Sequence, residues 1–290
     1  MGKKNTIETA KLLQQIDPLL PESPEEFEVL LKQCQDQLRS SEFWTHLQST
    51  VLQLSPLQHL DEMVCYGIGN FYTRRVSAPM WQLALALLIS RNSRAKSHTS
   101  DGSKDNASST QQDDIPIYFY DPKMTKNEQK VLEKYGIRII LENERACRDV
   151  SNKRVLFFMP HCGIRLYTNL LYTNWESLNK LAIVGNSLQG YLDQYEQQRN
   201  TLSANCDSAN SDSAPMESSP HDVLHSLQPF WTEIPLQLSK KTSQLHQIET
   251  AFNNTAILTF EDQNKNDERL LSLPPRPRRY DTADSSGEVL

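Results

Sequence analysis

The sequence places a histidine beside a cysteine, His161-Cys162, just after a short apolar run that ends at Pro160. A histidine titrates near neutral pH and can act as a base, a hydrogen-bond donor or a metal ligand. A helical pattern begins just after Cys162, and a helix N-terminus lowers the pKa of a nearby thiol. Because side chains of adjacent residues diverge, we do not expect a nucleophile–base dyad. The alternative is structural, with the histidine capping the helix beside a buried cysteine.

A second motif with chemical potential is Gly67-Ile68-Gly69-Asn70, which follows the apolar segment 61–66. Glycines here let the backbone approach a ligand closely and leave N–H groups that can face an anion. Tyr72 stands where a dinucleotide-binding fingerprint has its third glycine, so the match to that fingerprint is incomplete. The alternative is a tight turn at the exit of a strand.

Two further polar residues follow apolar segments in the same way. Asp121 comes after 117–120, and an acidic residue in this position can accept hydrogen bonds from the ribose of an adenosine-type nucleotide. Asp-Pro is also a common start of a turn, which is the structural alternative. Asn186 comes after 181–184 and either contacts a ligand or caps the next helix. No His/Cys cluster has the spacing of a structural zinc site, so we predict no metal.

Short apolar runs alternate with helical periodicities along the chain, and this alternation indicates the elements that position these residues. The predicted strands are 61–66, 117–120, 137–141, 155–159, 181–184, 230–236 and 255–260. The pattern predicts an α/β fold with a Rossmann-like, doubly wound, mostly parallel sheet. Two amphipathic helices between Ser23 and Leu54, the first with Ser23 as its N-cap, are predicted to form an N-terminal helical layer. Since parallel strands end at one edge, the polar motifs should meet in a ligand crevice.

Composition divides the chain into three parts. Residues 1–22 are predicted to be an N-terminal extension, and residues 23–262 a single α/β domain. Two tracts rich in Ser, Asp, Asn and Gln, residues 92–114 and 198–220, are predicted to be solvated insertions in that domain. Residues 263–290 are predicted to be a disordered tail.

The bulk properties exclude some classes of protein. Thirty basic and 36 acidic residues give a net charge of -6, which argues against a broad nucleic-acid surface. No apolar stretch is long enough to span a membrane. Five scattered cysteines without a CxxC motif predict reduced thiols and a cytoplasmic or nuclear location. The tail motif Pro274-Pro275-Arg276-Pro277 is compatible with a PxxP ligand or a nuclear signal.

Several motifs together resemble one known family. They are CYGIGNF at 65–71, YFYDP at 118–122, VLFFMPHCG at 155–163, LLYTNW at 170–175 and AIVGNS at 182–187. EIPL at 233–236 and AFNNTAILTF at 251–260 look like the closing segments of the same family. The pattern is similar to the SRR-like family, named for plants with reduced sensitivity to red light, and spans roughly residues 27–262.

The resemblance implies a regulatory protein with protein partners that it does not identify. Plant members are linked to circadian-clock and light signalling, animal members to haem-synthesis and clock-gene regulation, and yeast members to microtubule stability. We therefore expect a non-catalytic regulator whose Rossmann-like core binds a small ligand or a partner. The alternative is an adenosine-cofactor-dependent, methyltransferase-like enzyme, and a third hypothesis is haem binding through His161 or Cys162.

Overall fold

The architecture comes from a computed structural model that describes residues 20–21, 23–94, 114–203, 218–236, 245–260 and 275–277. Most of the predicted N-terminal extension, the middle of both predicted insertions and most of the predicted tail lie outside these residues.

Seven strands form one sheet in the order β3-β2-β1-β4-β5-β7-β6. They are β1 Glu62–Tyr66, β2 Ile117–Tyr120, β3 Arg138–Ile139, β4 Val155–Met159, β5 Leu181–Asn186, β6 Trp231–Pro235 and β7 Thr255–Phe260. Strands β1 to β5 pair in parallel, whereas β7 is antiparallel to both β5 and β6. The α/β class and the mostly parallel sheet are confirmed, and the antiparallel edge is a feature that the sequence pattern did not predict.

Helices cover both faces of this sheet. They are α1 Pro24–Arg39, α2 Glu42–His46, α3 Ser55–Gln58, α4 Ala78–Arg94, α5 Lys126–Lys134, α6 Ile164–Thr173, α7 Leu188–Ser203, α8 Pro220–Leu227 and α9 Leu245–Phe252. Alternate residues of β1 enter different cores: Met63 packs with α1, α4, α5 and α9, and Val64 with α6, α7 and α8. This period of two places an apolar core on each side of the sheet.

The N-terminal helical layer forms as its capping residues predict. Ser23 Oγ accepts from the Glu26 N–H at 3.2 Å, and Pro24 occupies the first turn of α1. Phe27 lies on the buried face of α1, and its ring centre is 5.0 Å from that of Tyr72 in the loop after β1. The layer therefore supports one of the loops at the polar edge of the sheet.

Several element boundaries differ from the sequence-based expectation. Helices α4 and α7 continue to Arg94 and Ser203, so the first residues of both predicted insertions are helical. Strand β3 has two residues rather than five, and Leu141, at the end of the predicted strand, is 90% exposed. Helices α8 and α9 were not predicted, although Ser219 and Asp222 form a capping box at the start of α8.

Candidate functional site

The predicted convergence of polar motifs at one edge of the sheet is present in the structure. Strands β1, β2, β4 and β5 are parallel, so the residues that follow them lie along one edge. The strand order reverses between β1 and β4, which is where open α/β sheets bind ligands. Residues 67–72, the glycine loop, and residues 160–163, the histidine turn, meet at this point.

Asp121 holds the glycine loop in place. Gly67 and Gly69 have φ of 64° and 83°, values that glycine adopts without steric cost. The Gly69 N–H donates to Asp121 Oδ2 at 2.7 Å, and the Lys123 N–H donates to Oδ1 at 2.8 Å. Asp121 is 6% exposed, so both carboxylate oxygens bind the backbone inside the protein. A ribose would have to share these oxygens with the loop.

Glu128, on α5, holds the other half of the glycine loop. Its carboxylate is 1% exposed and accepts five hydrogen bonds. The donors are Asn70 Nδ2, the N–H groups of Phe71, Tyr72 and Thr125, and Thr125 Oγ1. Thr125 and Glu128 also form a capping box at the start of α5. Charged acceptors make strong hydrogen bonds, so this buried carboxylate is a principal anchor of the loop.

The hydrogen bonding of the glycine loop differs from the open anion cradle that its sequence suggested. The N–H of Gly67 donates to the Tyr120 carbonyl at 3.2 Å. Those of Gly69, Phe71 and Tyr72 donate to carboxylates. An anionic ligand would therefore have to replace negatively charged groups that are already bound. Asn70 is exposed and holds the Lys123 carbonyl through its side chain at 2.9 Å.

His161 stands at the outer side of the histidine turn in an unusual backbone conformation. Its φ is 60°, which is uncommon and costly for a residue with a side chain. The conformation is held by its N–H, which donates to Asn186 Oδ1 at 2.9 Å. Its Nε2 lies 3.1 Å from the Ala251 carbonyl at the end of α9. In the tautomer in which Nε2 donates to this carbonyl, Nδ1 is a hydrogen-bond acceptor. His161 is exposed.

Cys162 points in the opposite direction, into the protein. The residue is 2% exposed, and its Sγ lies 3.4 Å from the Tyr66 carbonyl at the end of β1. Burial raises the pKa of this thiol, and the negative charge of nearby Asp121 raises it further. The expectation of a lowered pKa was therefore wrong, because loss of solvation outweighs the field of the helix terminus. The buried sulfur is also not accessible as a ligand for a haem bound at the surface.

Asn186 and Tyr191 fix the histidine turn from the side of β5 and α7. Tyr191 Oη donates to the Cys162 carbonyl at 2.6 Å and accepts from Asn186 Nδ2 at 2.9 Å. Asn186 Nδ2 also lies 3.3 Å from the same carbonyl. The seven candidate residues from the sequence thus fall into two bonded clusters, which the Cys162–Tyr66 contact joins. Their role in ligand binding stays a prediction.

Tyr167, on α6, ties the histidine turn to β5 and was missed by sequence reasoning. Its hydroxyl donates to the Met159 carbonyl and accepts from the Asn186 N–H at 2.8 Å. Burial raises the pKa of this phenol well above its usual value. The LYTNLL pattern of α6 marks Tyr167 only as a residue on a helix, so nothing local signals this role.

One buried hydroxyl beside these clusters forms no hydrogen bond with the residues that the structure describes. Thr255 pairs directly with Asn186 across β5 and β7 and is 4% exposed. Its Oγ1 makes no hydrogen bond within the described part of the chain. Buried polar groups are nearly always hydrogen-bonded, so such an exception calls for an explanation. Among the described residues, this hydroxyl lies unbonded in the strand pair that carries Asn186.

The remaining family motifs also anchor loops or helix ends. Asn174 accepts from the Val150 N–H at 2.8 Å and donates to the Arg148 and Leu170 carbonyls, so it secures the end of α6. Glu233 of β6 accepts from the N–H groups of Leu188 and Gln189, each at 3.1 Å. A carboxylate at a helix N-terminus stabilises that helix, here α7.

Metal-binding and membrane-spanning features are absent from the parts of the chain that the structure describes. No group of three or more His, Cys, Asp or Glu side chains there could hold a metal ion. None of the helices described is long and apolar enough to cross a membrane.

The fold and the strand-end edge define an α/β protein with a doubly covered mixed sheet and loops held by buried carboxylates. Residues 34–259 match the family model described as SRR1 domain, and the chain therefore belongs to that family. An SRR1-like protein from mouse is 33% identical over 132 residues, which are 44% of this chain and 44% of the mouse protein. Protein SENSITIVITY TO RED LIGHT REDUCED 1 from Arabidopsis thaliana is 35% identical over 171 residues, 58% of this chain and 54% of that protein.

A more distant SRR1-like protein from Drosophila melanogaster is 21% identical over 159 residues, covering 54% of this chain and 50% of that protein. The chain thus spans about half the length of the curated relatives it matches. No solved structure matches it.

Proposed function

We propose that this chain is a non-catalytic regulatory protein that presents its strand-end edge to a small ligand or to a protein partner. Membership of the SRR1 family, together with the Arabidopsis relative named for sensitivity to red light, supports a role in light- or clock-type regulation. Regulation of haem synthesis and, in yeasts, of microtubule stability are the other roles that the family suggests. The site of action is the cytoplasm, the nucleus or both.

The observation that carries this proposal is that the acidic groups at the edge are bonded within the protein, to its own backbone. General acid–base or nucleophilic catalysis needs a titratable group within reach of a substrate. Asp121, Glu128 and Cys162 are buried and bonded to the backbone. Their arrangement fixes the shape of two loops, which is what a recognition surface requires. His161 and Asn70 present exposed polar groups on that surface.

The test is a turnover assay on the purified chain with S-adenosylmethionine, NAD and ATP, each at millimolar concentration. The expected result is no product above the rate without protein. Efficient conversion of any of the three would overturn the proposal. His161→Gln is the comparison variant: it should leave the fold unchanged, and it would abolish turnover if the histidine were catalytic.

The second candidate is an adenosine-cofactor-dependent, methyltransferase-like enzyme, and one observation favours it. The last strand lies antiparallel between the fifth and sixth strands, which is the strand order of the Rossmann-like methyltransferase fold. Gly67, Gly69 and Asp121 follow the first two strands, where such folds place the phosphate loop and the ribose acceptor. Fold alone does not establish a reaction.

Calorimetry with S-adenosylmethionine and with NAD separates the two candidates. A methyltransferase-like site would give saturable heat, which Asp121→Asn should weaken at least tenfold while the exposed Glu133→Gln control leaves it unchanged. Absence of heat at millimolar ligand would remove the enzyme hypothesis.

A further inference from the structure

A short part of the C-terminal tail returns to the folded domain and contacts α6. The guanidinium carbon of Arg276 lies 4.0 Å from the centre of the Tyr172 ring. The Tyr172 hydroxyl donates to the Pro277 carbonyl at 2.8 Å. Both the face and the hydroxyl of this half-buried tyrosine therefore bind the same tripeptide, residues 275–277.

The chemistry of the two contacts matches the tail sequence. Aromatic side chains that receive proline-rich peptides provide a flat ring face and a hydrogen-bond donor for a backbone carbonyl. Arginine packs on such a face through both its charge and its planar shape. Arg276 lies between Pro275 and Pro277, and a residue before proline is already restricted to extended conformations. Little conformational freedom is then lost when the segment binds.

This contact is separate from the strand-end edge. Helix α6 begins at Ile164 beside the histidine turn, and Tyr172 lies eight residues further along it. At a rise of 1.5 Å per residue, the two are about 12 Å apart along the helix axis. The contacts of residues 275–277 with Tyr172 therefore lie away from the histidine turn.

We propose that Tyr172 is an internal docking point for the Pro-Arg-Pro segment at 275–277, and that the segment acts as a displaceable latch. One cation–π contact and one hydrogen bond give weak affinity between separate molecules. Because Tyr172 and residues 275–277 belong to one chain, the contact is intramolecular, with an effective concentration on the order of millimolar. A latch of this kind is occupied in the free chain and yields to a second proline–arginine peptide that binds the same tyrosine.

The test uses a fluorescent peptide with the sequence of residues 272–281 and full-length chains. In the wild-type chain the tethered segment competes with the peptide. Arg276→Ala in the chain releases that competitor, so the peptide should bind at least threefold more tightly than to the wild type. Adding Tyr172→Leu to the Arg276→Ala chain removes the docking point and should weaken binding at least tenfold.

Two further variants make the result specific. Tyr172→Phe keeps the ring but not the hydroxyl and should give intermediate binding, while Tyr195→Phe, on α7, should leave it unchanged. A melting temperature within the wild-type range shows that each chain is folded. Equal binding by the Arg276→Ala chains with tyrosine, phenylalanine and leucine at position 172 would overturn the proposal, as would peptide binding no tighter to Arg276→Ala than to the wild type. Neither result bears on ligand binding at the strand-end edge.

Discussion

Only glycine fits at position 185, because the phenol of Tyr167 occupies the space that a Cβ atom would need. A Cβ at this position would lie 2.6 Å from Tyr167 Oη and 2.7 Å from its Cε1. The tyrosine is fully buried, and its hydroxyl binds both β4 and β5, so the ring cannot move aside without losing those bonds. The glycine of the AIVGNS motif is therefore required for close packing.

Gly185→Ala should lower the free energy of unfolding by about 3 kcal/mol, because overpacking in a filled core forces strain on its neighbours. Urea denaturation followed by tryptophan fluorescence measures the change. Gly163→Ala is the matched control: a Cβ there meets nothing within 4 Å, and its φ of -70° suits any residue. The control should cost about 1 kcal/mol or less, as expected for a helix N-cap. Equal losses in the two variants would contradict this account.

Single residues also show how far the sequence could predict the candidate site. Strand and turn patterns placed His161, Cys162 and Asp121 at the correct edge. Their bonding partners could not be foreseen, because Gly69 and Asp121 are 52 positions apart and the Cys162–Tyr66 contact spans 96. Local sequence predicts where a side chain emerges, but the group it meets depends on the strand order. The direction of the Cys162 pKa shift was mispredicted because the burial of the thiol depends on the strand order and not on the local sequence.

At the scale of elements, Glu128 joins α5 to the loop after β1 and so couples two neighbouring βα units. Its five donors come from both sides of that junction. In Glu128→Gln, an amide NH₂ group replaces one carboxylate oxygen, each of which now accepts at least two hydrogen bonds. The NH₂ group cannot accept these bonds, so buried N–H groups are left unpaired. We expect a loss of about 2–3 kcal/mol in the free energy of unfolding.

Chemical denaturation of Glu128→Gln and of Glu133→Gln provides the measurement and its control. Glu133 lies on the same helix but is exposed, so its substitution should change stability by less than about 0.5 kcal/mol. If Glu128→Gln were as stable as Glu133→Gln, the carboxylate would not be the anchor of the glycine loop.

Strands and helices that are marked by a distinct apolar pattern were predicted well, and those without such a pattern were not. Strands β2, β4 and β7 have the predicted boundaries, since each is a compact apolar run. The antiparallel direction of β7 was hidden because all six of its residues are buried, and a strand covered on both faces reads like a parallel one. Helix α8 was missed because its capping box follows a polar tract that obscured the short apolar pattern.

At the scale of the whole molecule, two apolar cores enclose titratable groups in neutral form. Burial raises the pKa of Cys34 to about 12, and it raises the pKa of Cys65, Cys162 and Tyr66 further. These groups stay protonated in the folded chain at a pH where the unfolded chain loses its protons. The contribution of the thiols to stability is fully present below their ordinary pKa of 9.0, and that of Tyr66 below the ordinary phenol pKa of 10.0. Each contribution is lost as pH rises from that value towards the raised pKa of the folded chain.

The urea midpoint should therefore change little between pH 8 and pH 9 and fall between pH 9 and pH 11. Cys65→Ala removes one buried thiol, so its midpoint should be lower at pH 8 but fall less over the same range. Measuring both proteins in reducing buffer excludes disulfide formation. A wild-type midpoint that does not change with pH would contradict the burial of these groups.

The position of β7 between β5 and β6 has a consequence for how the protein is made. Synthesis proceeds from the N-terminus, so β5 and β6 leave the ribosome before the strand that must separate them. Until residues 255–260 emerge, β5 has an unpaired edge and β6 has no neighbour in the sheet. Exposed strand edges template aggregation, so nascent chains at this stage are the form most in need of chaperones.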